Sequence, residues 1–538
     1  MKKKNIISKV LIIAFVIGFG VICSFTGSIT EPVGTLWSLF PPVVAIGLAL
    51  ITKEVYSSLF VGIVVGGLLS TKFNVIHTVD SVVTDGVTSA VSGSAGIFAF
   101  LVLLGIVVAL LNKAGGSKAF GDWASKHVKT KVGASIATFL FGVLIFIDDY
   151  FNCLTVGAVM RPVTDKNKIS RAKLSYLIDA TAAPICMIAP ISSWAAAVSS
   201  YAPDGQGIAL FCRAIPYNFY SLLTFVFIIA ITLMKFDYGP MKLHEENALK
   251  GDLFTSGTEV GEDDTPATTK AKVVDLVLPI IVLIVICVFS LFYVGRCMGE
   301  EWAFASANYD SSLSFIDAFS NTDATVGLPW GGLVALLFTI VYFIARRLIS
   351  FKEAMECIPK GFIAMVPAIL ILTMATALKN MTGLLDSSDF VSSALANASA
   401  LSKFLPAIIF LVACGIAFST GTSWGTFGIL IPIVLAIFPI GSNPLGVICM
   451  SACLAGAVCG DHCSPISDTT IMSSAGARCD HINHVSTQLP YALTVAGVSF
   501  VTYIVAGFVQ KVYIALPVGI AIMLLTLVII KLLSKKKA

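Results

Sequence analysis

Charge is what this sequence has least of. Only 12% of its 538 residues are Asp, Glu, Lys or Arg, against roughly 25% in an ordinary soluble domain, and that shortage excludes a soluble globular chain. Histidine is also scarce, with six in all. The 35 basic and 31 acidic residues leave a net charge of only +4, which gives no basic surface for nucleic acid. The 13 cysteines are scattered; Cys153, Cys186, Cys287, Cys414, Cys449 and Cys453 sit inside apolar runs, where a thiol is a small packing residue. No disulfide framework is visible.

Apolar residues fill the space instead, at 57% of the chain, and the mean hydropathy is +0.92 over the whole length. A surface that is also apolar is the mark of a protein dissolved in lipid. The expected fold class is an all-α polytopic membrane protein. The lysines after Met1 and the apolar run to Phe25 read as an uncleaved first helix.

Runs that read as spanning helices lie near 6–26, 38–52, 54–70, 95–112, 216–235, 273–294, 330–345, 361–379, 489–509 and 512–531. Four further stretches, 132–163, 172–200, 404–440 and 444–475, are too long for one span and are broken by Gly, Pro, Asp, Ser and Thr. Irregular backbone at membrane depth is tolerated only in protein or beside a wet cavity, so these segments point to a site. Lys and Arg collect at the N-terminus, at 113–131, 161–173, 235–272, 346–360 and in the last residues. The positive-inside rule then puts both termini in the cytoplasm, and the plasma membrane is the expected location. The alternation closes only if 132–163 enters and leaves on the cytoplasmic side and 404–440 on the outer side, each as a re-entrant hairpin.

Internal matches agree with that: Gly86 with Gly361, Ala109, Leu110 and Asn112 with Ala377, Leu378 and Asn380, and Pro190 to Ser192 with Pro465 to Ser467. The two halves start on opposite sides, which makes them inverted-topology repeats with broken helices and paired re-entrant hairpins. The expected division is 1–37, an N-terminal helix and outer loop; 38–235, the first repeat; 236–272, a cytoplasmic linker; 273–509, the second repeat; and 510–538, a C-terminal helix.

Chemistry concentrates at the breaks. FIDDYFNCLTVGAVMRP places Asp148, Asp149, Asn152 and Thr155 at the turn and outgoing arm of the first hairpin; Asp148 reads equally as solvated at the cytoplasmic mouth. The next segment carries Asp179, then prolines 184 and 190, then Ser192 and Ser193. In the second half FSTGTSWGTFG offers Thr420, Thr422, Ser423 and Thr426, and CGDHCSPISDTTIMSS offers Asp461, Ser467, Asp468 and Thr469. Carboxylates, hydroxyls and the freed carbonyls of a broken helix make an oxygen-rich shell for a hard monovalent cation. The same serines and threonines can instead bond their own helix carbonyls, and Trp194 and Trp424 read as packing residues. Cys459, His462, Cys463, Cys479, His481 and His484 have spacings close to a zinc site and to a membrane acyltransferase, a weaker alternative because Cys479 to His484 are expected in a cytoplasmic turn.

From Gly460 to Leu493 and from Phe146 to Ala196 the sequence resembles the NhaC family of sodium/proton antiporters, within the ion transporter superfamily. The resemblance implies inverted repeats with paired hairpins and an elevator-like movement of the hairpin-bearing parts. It also implies cation-coupled secondary transport, with sodium and protons as partners and no cofactor or enzyme activity. Members of the family are similar to malate/lactate exchangers and amino-acid carriers as well, so an amino acid or small organic acid is the alternative cargo. Arg161 and Arg213 flank the segments, but neither tip has an arginine. The lipid bilayer and a second copy of the chain complete the expected partners.

Overall fold

The computed structural model describes residues 13–536 except 15, 26, 53, 147, 200, 203–205, 256–269, 298–308, 311, 314–317, 319–321, 388–389, 391–401, 439–443 and 466. Residues 256–269 of the linker between the halves, part of the 297–325 loop and the start of the first helix lie outside it. Among the described residues all regular structure is helical.

A short apolar helix over Val16–Phe25 precedes α1 (Phe40–Thr52) and α2 (Val55–Ser70). The sequence reads these two as spans, but at 13 and 16 residues they rise only about 20 and 24 Å, short of ~30 Å of hydrocarbon. They form an antiparallel hairpin: a β-carbon at Gly62 would meet Ala45, and one at Gly66 would meet Pro41. The carboxylate of Glu54 caps the turn by accepting the amides of Tyr56 and Ser57.

The run expected at 95–112 belongs to a 40-residue helix, α3 (Val75–Ala114), which is π-wound over Val82–Thr88. Next come α4 (Gly116–His127), α5 (Lys131–Leu144), α6 (Asp149–Lys166), α7 (Arg171–Cys186), α8 (Ser193–Ser199), α9 (Gly207–Ala214), α10 (Phe219–Met234) and α11 (Pro240–Leu249). The second half runs α12 (Val274–Arg296), α13 (Ala324–Ala345), α14 (Phe351–Gly383), α15 (Leu405–Thr420), α16 (Ser423–Ile437), α17 (Pro444–Cys463), α18 (Asp468–Ala477) and α19 (His481–Val509), followed by α20 (Val512–Lys536). Seven described helices are long and apolar enough to cross a membrane, or eight with the pair 207–217 and 219–234, which is bent by 45°.

The order hairpin, broken helix, long helix occurs twice, as α5–α6, α7–α8, α10 and as α15–α16, α17–α18, α19. The halves meet along α3 and α14. A β-carbon at Gly105 would lie 2.4 Å from the Gly361 carbonyl oxygen, so only glycine admits this approach. Nineteen residues up α3, the Asn380 amide donates to the carbonyls of Asp85 and Gly86 at 3.1 and 3.4 Å. Shifted by the offset that relates Gly86 to Gly361, the first contact becomes the second, as an inverted repeat requires. At the end of α13 Arg346 forks onto Asp275 at 3.0 and 2.9 Å, and Tyr342 donates to the same carboxylate at 2.7 Å. That bidentate pair fastens α12 to α13.

Candidate functional site

Both hairpins turn where α7 and α17 break. The first tip puts Asp149 at the first position of α6, and the second puts Ser423 at the first position of α16. After the breaks, α8 starts at Ser193 and α18 at Asp468. Ser192 accepts the amide of Ala195 and donates to the Cys186 carbonyl at 2.7 Å. Ser467 caps α18 by accepting the amide of Thr470. In each half a serine therefore restores hydrogen bonding that the break removes.

Each tip is tied to the broken helix beside it. Asp148 is buried, not solvated, and accepts Ser193 Oγ at 3.2 Å. Ser423 Oγ donates to Asp461 Oδ2 at 2.9 Å and lies 3.1 Å from the Ala457 carbonyl. Thr469 Oγ1 donates to the same Asp461 oxygen at 3.1 Å, with Ser467 Oγ 3.1 Å away. Thr420 and Thr426 bond the carbonyls four residues back, at Ile416 and Thr422, and the Thr422 hydroxyl caps α16 through Gly425. Of the four hydroxyls expected at the second tip, Ser423 is the one that reaches across. The Asp468 side chain lies outside the described residues.

On α6 the polar atoms point away from such partners. Asn152 donates both amide hydrogens to the carbonyls of Gly142 and Ile145 at the end of α5, at 2.7 and 2.9 Å. That fixes its Oδ1 on the opposite side, where it meets no donor. Thr155 Oγ1 is likewise buried without a donor, and both oxygens of Asp149 are buried with the Trp194 indole N–H within reach but outside hydrogen-bond geometry. Asp149, Asn152 and Thr155 are spaced by three, so they share one helix face. Asp148 and Asp461 lie within electrostatic reach of Asp149, which brings acids from both halves to one place. The rings of Trp194 and Trp424 pack at 5.6 Å between centroids beside it.

Asp179 builds a second cluster. Its Oδ2 accepts Gln488 Nε2 at 2.6 Å and Thr470 Oγ1 at 3.1 Å, with His484 Nε2 at 3.3 Å. His462 places Nε2 2.9 Å from the Asp179 carbonyl, Nδ1 3.2 Å from Tyr220 Oη, and accepts Gln488 through its own carbonyl at 2.7 Å. His484 is fully buried in the first turn of α19, which corrects its expected place in a cytoplasmic turn. Among the described residues no group of three or more His, Cys, Asp or Glu could hold a metal ion; His462 and His484 meet Asp179, and His481 meets Ser474 and the Pro465 carbonyl. Gln488 and Tyr220 went unread in the sequence, since a single polar residue in a long apolar helix gives no pattern. Their signal was only the cost of a buried amide or phenol without a partner.

Two hairpins, two broken helices and a buried polar centre fed from both halves define a membrane transporter of the secondary type. Residues 201–508 match the Na+/H+ antiporter family, and the chain belongs to that family. An uncharacterized protein of Haemophilus influenzae is 38% identical over 495 residues, 88% of this chain and 91% of its own. The malate-2H(+)/Na(+)-lactate antiporter of Bacillus subtilis is 34% identical over 111 residues, 20% of this chain and 24% of its own. The arginine/ornithine antiporter ArcD of Halobacterium salinarum is 34% identical over 99 residues, 18% and 20% of the two chains. The chain is a cation-coupled secondary transporter and not an enzyme.

Proposed function

We propose that the protein exchanges sodium for protons, with Asp149, Asn152 and Thr155 on one side of the ion and Asp461, Ser423 and Thr469 on the other. The observation that carries this reading is the set of four oxygens on α6, from Asp149, Asn152 and Thr155, buried outside any hydrogen bond of good geometry, the Trp194 indole N–H lying within reach of Asp149. Oxygens in that condition are costly unless a cation or proton meets them. Two carboxylates from opposite halves repel unless one positive charge lies between them, so sodium and a proton compete for the place. Asp179 and Asp468 belong to the same proposed machinery, Asp179 by holding α18 and α19 together around Thr470 and Gln488.

Alternating access by an elevator-like movement of the hairpins follows from the same reading, as do cytoplasmic termini in a plasma membrane. The clustering of Lys and Arg supports the orientation. Lipid or a second copy of the chain covers the exposed Ile281, Val285 and Phe289 of α12. No resident cofactor is invoked. Proteoliposomes enclosing a pH dye test the exchange: an imposed sodium gradient drives proton movement through the wild type. A folded wild type with no sodium response overturns it.

A second reading has its own support: coupled carriage of an amino acid or small organic acid. The N-terminus of α16 lies at the second tip with no acidic residue in its first turn, where its dipole favours a solute carboxylate. Two of the relatives are named for cargo of this kind.

A further inference from the structure

The chain leaves α3 on a left-handed glycine, Gly115, at a φ of 77°, and turns there into α4. With 12 residues, α4 rises only about 18 Å, and it carries Lys118, Asp122 and Lys126, so it is too short and too charged to cross a membrane. It connects the long apolar α3 to the incoming arm of the first hairpin. With the lysine-rich loops inside, that places it at the cytoplasmic surface.

Three strips divide its circumference. The first faces protein: Phe120 stacks on Phe141 of α5 at 4.3 Å, a β-carbon at Gly121 would lie 2.7 Å from the Val159 carbonyl oxygen of α6, and Ala124 is buried. At the start of α4, a β-carbon on Gly116 would lie 2.9 Å from the Leu276 amide nitrogen of α12. One helix is therefore fixed both to the first hairpin and to the second half. The second strip is aromatic and open, with Trp123 48% exposed and the His127 ring against it at 4.9 Å. The third is Lys118, Asp122 and Lys126, exposed and aligned by their spacing of four; the exposed Lys129 follows just past the helix.

Neighbouring lysines are occupied. Lys113 pairs with Glu353, Lys131 pairs with Glu245, and Lys166 donates to the Ser125 carbonyl at 3.1 Å. Among the described residues Lys118, Lys126 and Lys129 enter no ion pair, and Asp122 answers neither lysine four residues from it. Water alone would satisfy the ammoniums but not an open indole on the same side. An indole beside lysines on a surface helix fits the boundary of a bilayer, the ring among the upper acyl carbons and the charges in the phosphate layer.

We propose that α4 lies in the membrane interface and that Lys118, Lys126 and Lys129 face the headgroups of anionic phospholipid, with Trp123 against the acyl carbons below. Each lysine acts as a point charge on its own phosphate, so no common spacing is required of them. Anionic lipid then anchors to the bilayer surface a helix that touches both α12 and the first hairpin. The site stands whether the transported solute is sodium alone or an organic one.

Fluorescence quenching in nanodiscs tests it on the full-length protein. The discs hold phosphatidylcholine with a fixed fraction of phosphatidylglycerol, and bromines are placed on the upper acyl carbons of an equal amount of one lipid or the other. The signal of Trp123 is the wild type less Trp123→Phe. Brominated phosphatidylglycerol should quench it several-fold more than brominated phosphatidylcholine, since one lysine near an anionic headgroup enriches it about fivefold, and raised salt should shrink the difference. The triple variant Lys118→Gln, Lys126→Gln, Lys129→Gln should lose the preference, and the same three positions changed to Arg should keep it. Size-exclusion profiles verify that the variants are folded. No quenching by either lipid puts α4 outside the interface and overturns the proposal. Equal quenching by both, or a preference kept in the triple Gln variant, overturns it as well. So does loss of the preference to millimolar inorganic phosphate at constant ionic strength, or a co-purified acidic polypeptide that shields Trp123 from both lipids.

Discussion

The two hairpin tips share a backbone plan and exchange their chemistry. In the first half the tip carries the acids, Asp148 and Asp149, and the break supplies hydroxyls from Ser192 and Ser193. In the second half the tip carries the hydroxyls, Thr422 and Ser423, and the broken helix supplies Asp461. The tip-to-break bond therefore runs from Ser193 to Asp148 in one half and from Ser423 to Asp461 in the other. Repeats of one fold need not repeat one set of side chains. An acid opposite a hydroxyl is satisfied whichever side holds it, whereas two acidic tips would repel and two hydroxyl tips would lack charge for a cation.

The largest expected effect is on the member of this comparison whose oxygens are in no hydrogen bond of good geometry. Asp149→Asn should lower sodium-driven proton movement in proteoliposomes by roughly 100-fold or more, while Asp148→Asn, whose carboxylate is already engaged by Ser193, should lower it by less than about 10-fold. Equal losses would mean that the two acids act as one site. Next in size, Asp461→Asn should cost roughly 10- to 100-fold in the same assay, because Ser423 and Thr469 lose their charged acceptor. If Asp461→Asn transports normally, the second half binds no ion.

Packing gives a third test. Gly105→Val drives a side chain into the Gly361 carbonyl and should destabilise the protein by about 2–3 kcal/mol, read as a lower melting temperature in detergent. Asn380→Ala, at the image of that contact, removes one hydrogen-bonding amide and should cost about 1 kcal/mol. Similar losses would show that the two ends of the α3–α14 interface are equally strained. The smallest effect is expected from Ser193→Ala against Ser423→Ala. Each should raise the sodium concentration for half-maximal exchange by a few fold, the second more than the first, because Ser423 serves the acid that faces the ion. The reverse order would shift the ion toward the first tip.

Hydropathy made the membrane class legible, and the Gly, Pro and Asp interruptions marked both hairpins and both breaks. It could not give the lengths of α1 and α2, because a helix a few residues short of a crossing is as apolar as a full one. The π-wound turn of α3 left no trace, since seven residues of one winding have no periodicity distinct from the next. At the site, Asp149, Asp179 and Asp461 stood out because carboxylates are rare in apolar runs. The surroundings of Asp179 did not, because His484 and Gln488 are about 300 residues away in sequence and the first turns of α19 that carry them resemble a polar loop. Asp148 was ambiguous for the opposite reason, as two adjacent acids at a turn read as solvated until Ser193 is seen to cover one.

The glycine contact between α6 and α18 has a mechanical consequence. A β-carbon at Gly157 would fall 2.4 Å from the main-chain carbon of Gly476, and one at Gly476 would fall 2.5 Å from the Cys153 carbonyl oxygen. Ser473 Oγ adds a contact to Cys153 Sγ at 3.2 Å. Main chains that touch this closely cannot slide or roll past one another without opening a gap in the lipid-free interior. The return arm of the first hairpin and the post-break helix of the second half therefore form one stiff strut. Any stroke of the transporter that moves one carries the other, so the line between what moves and what stands still crosses both halves.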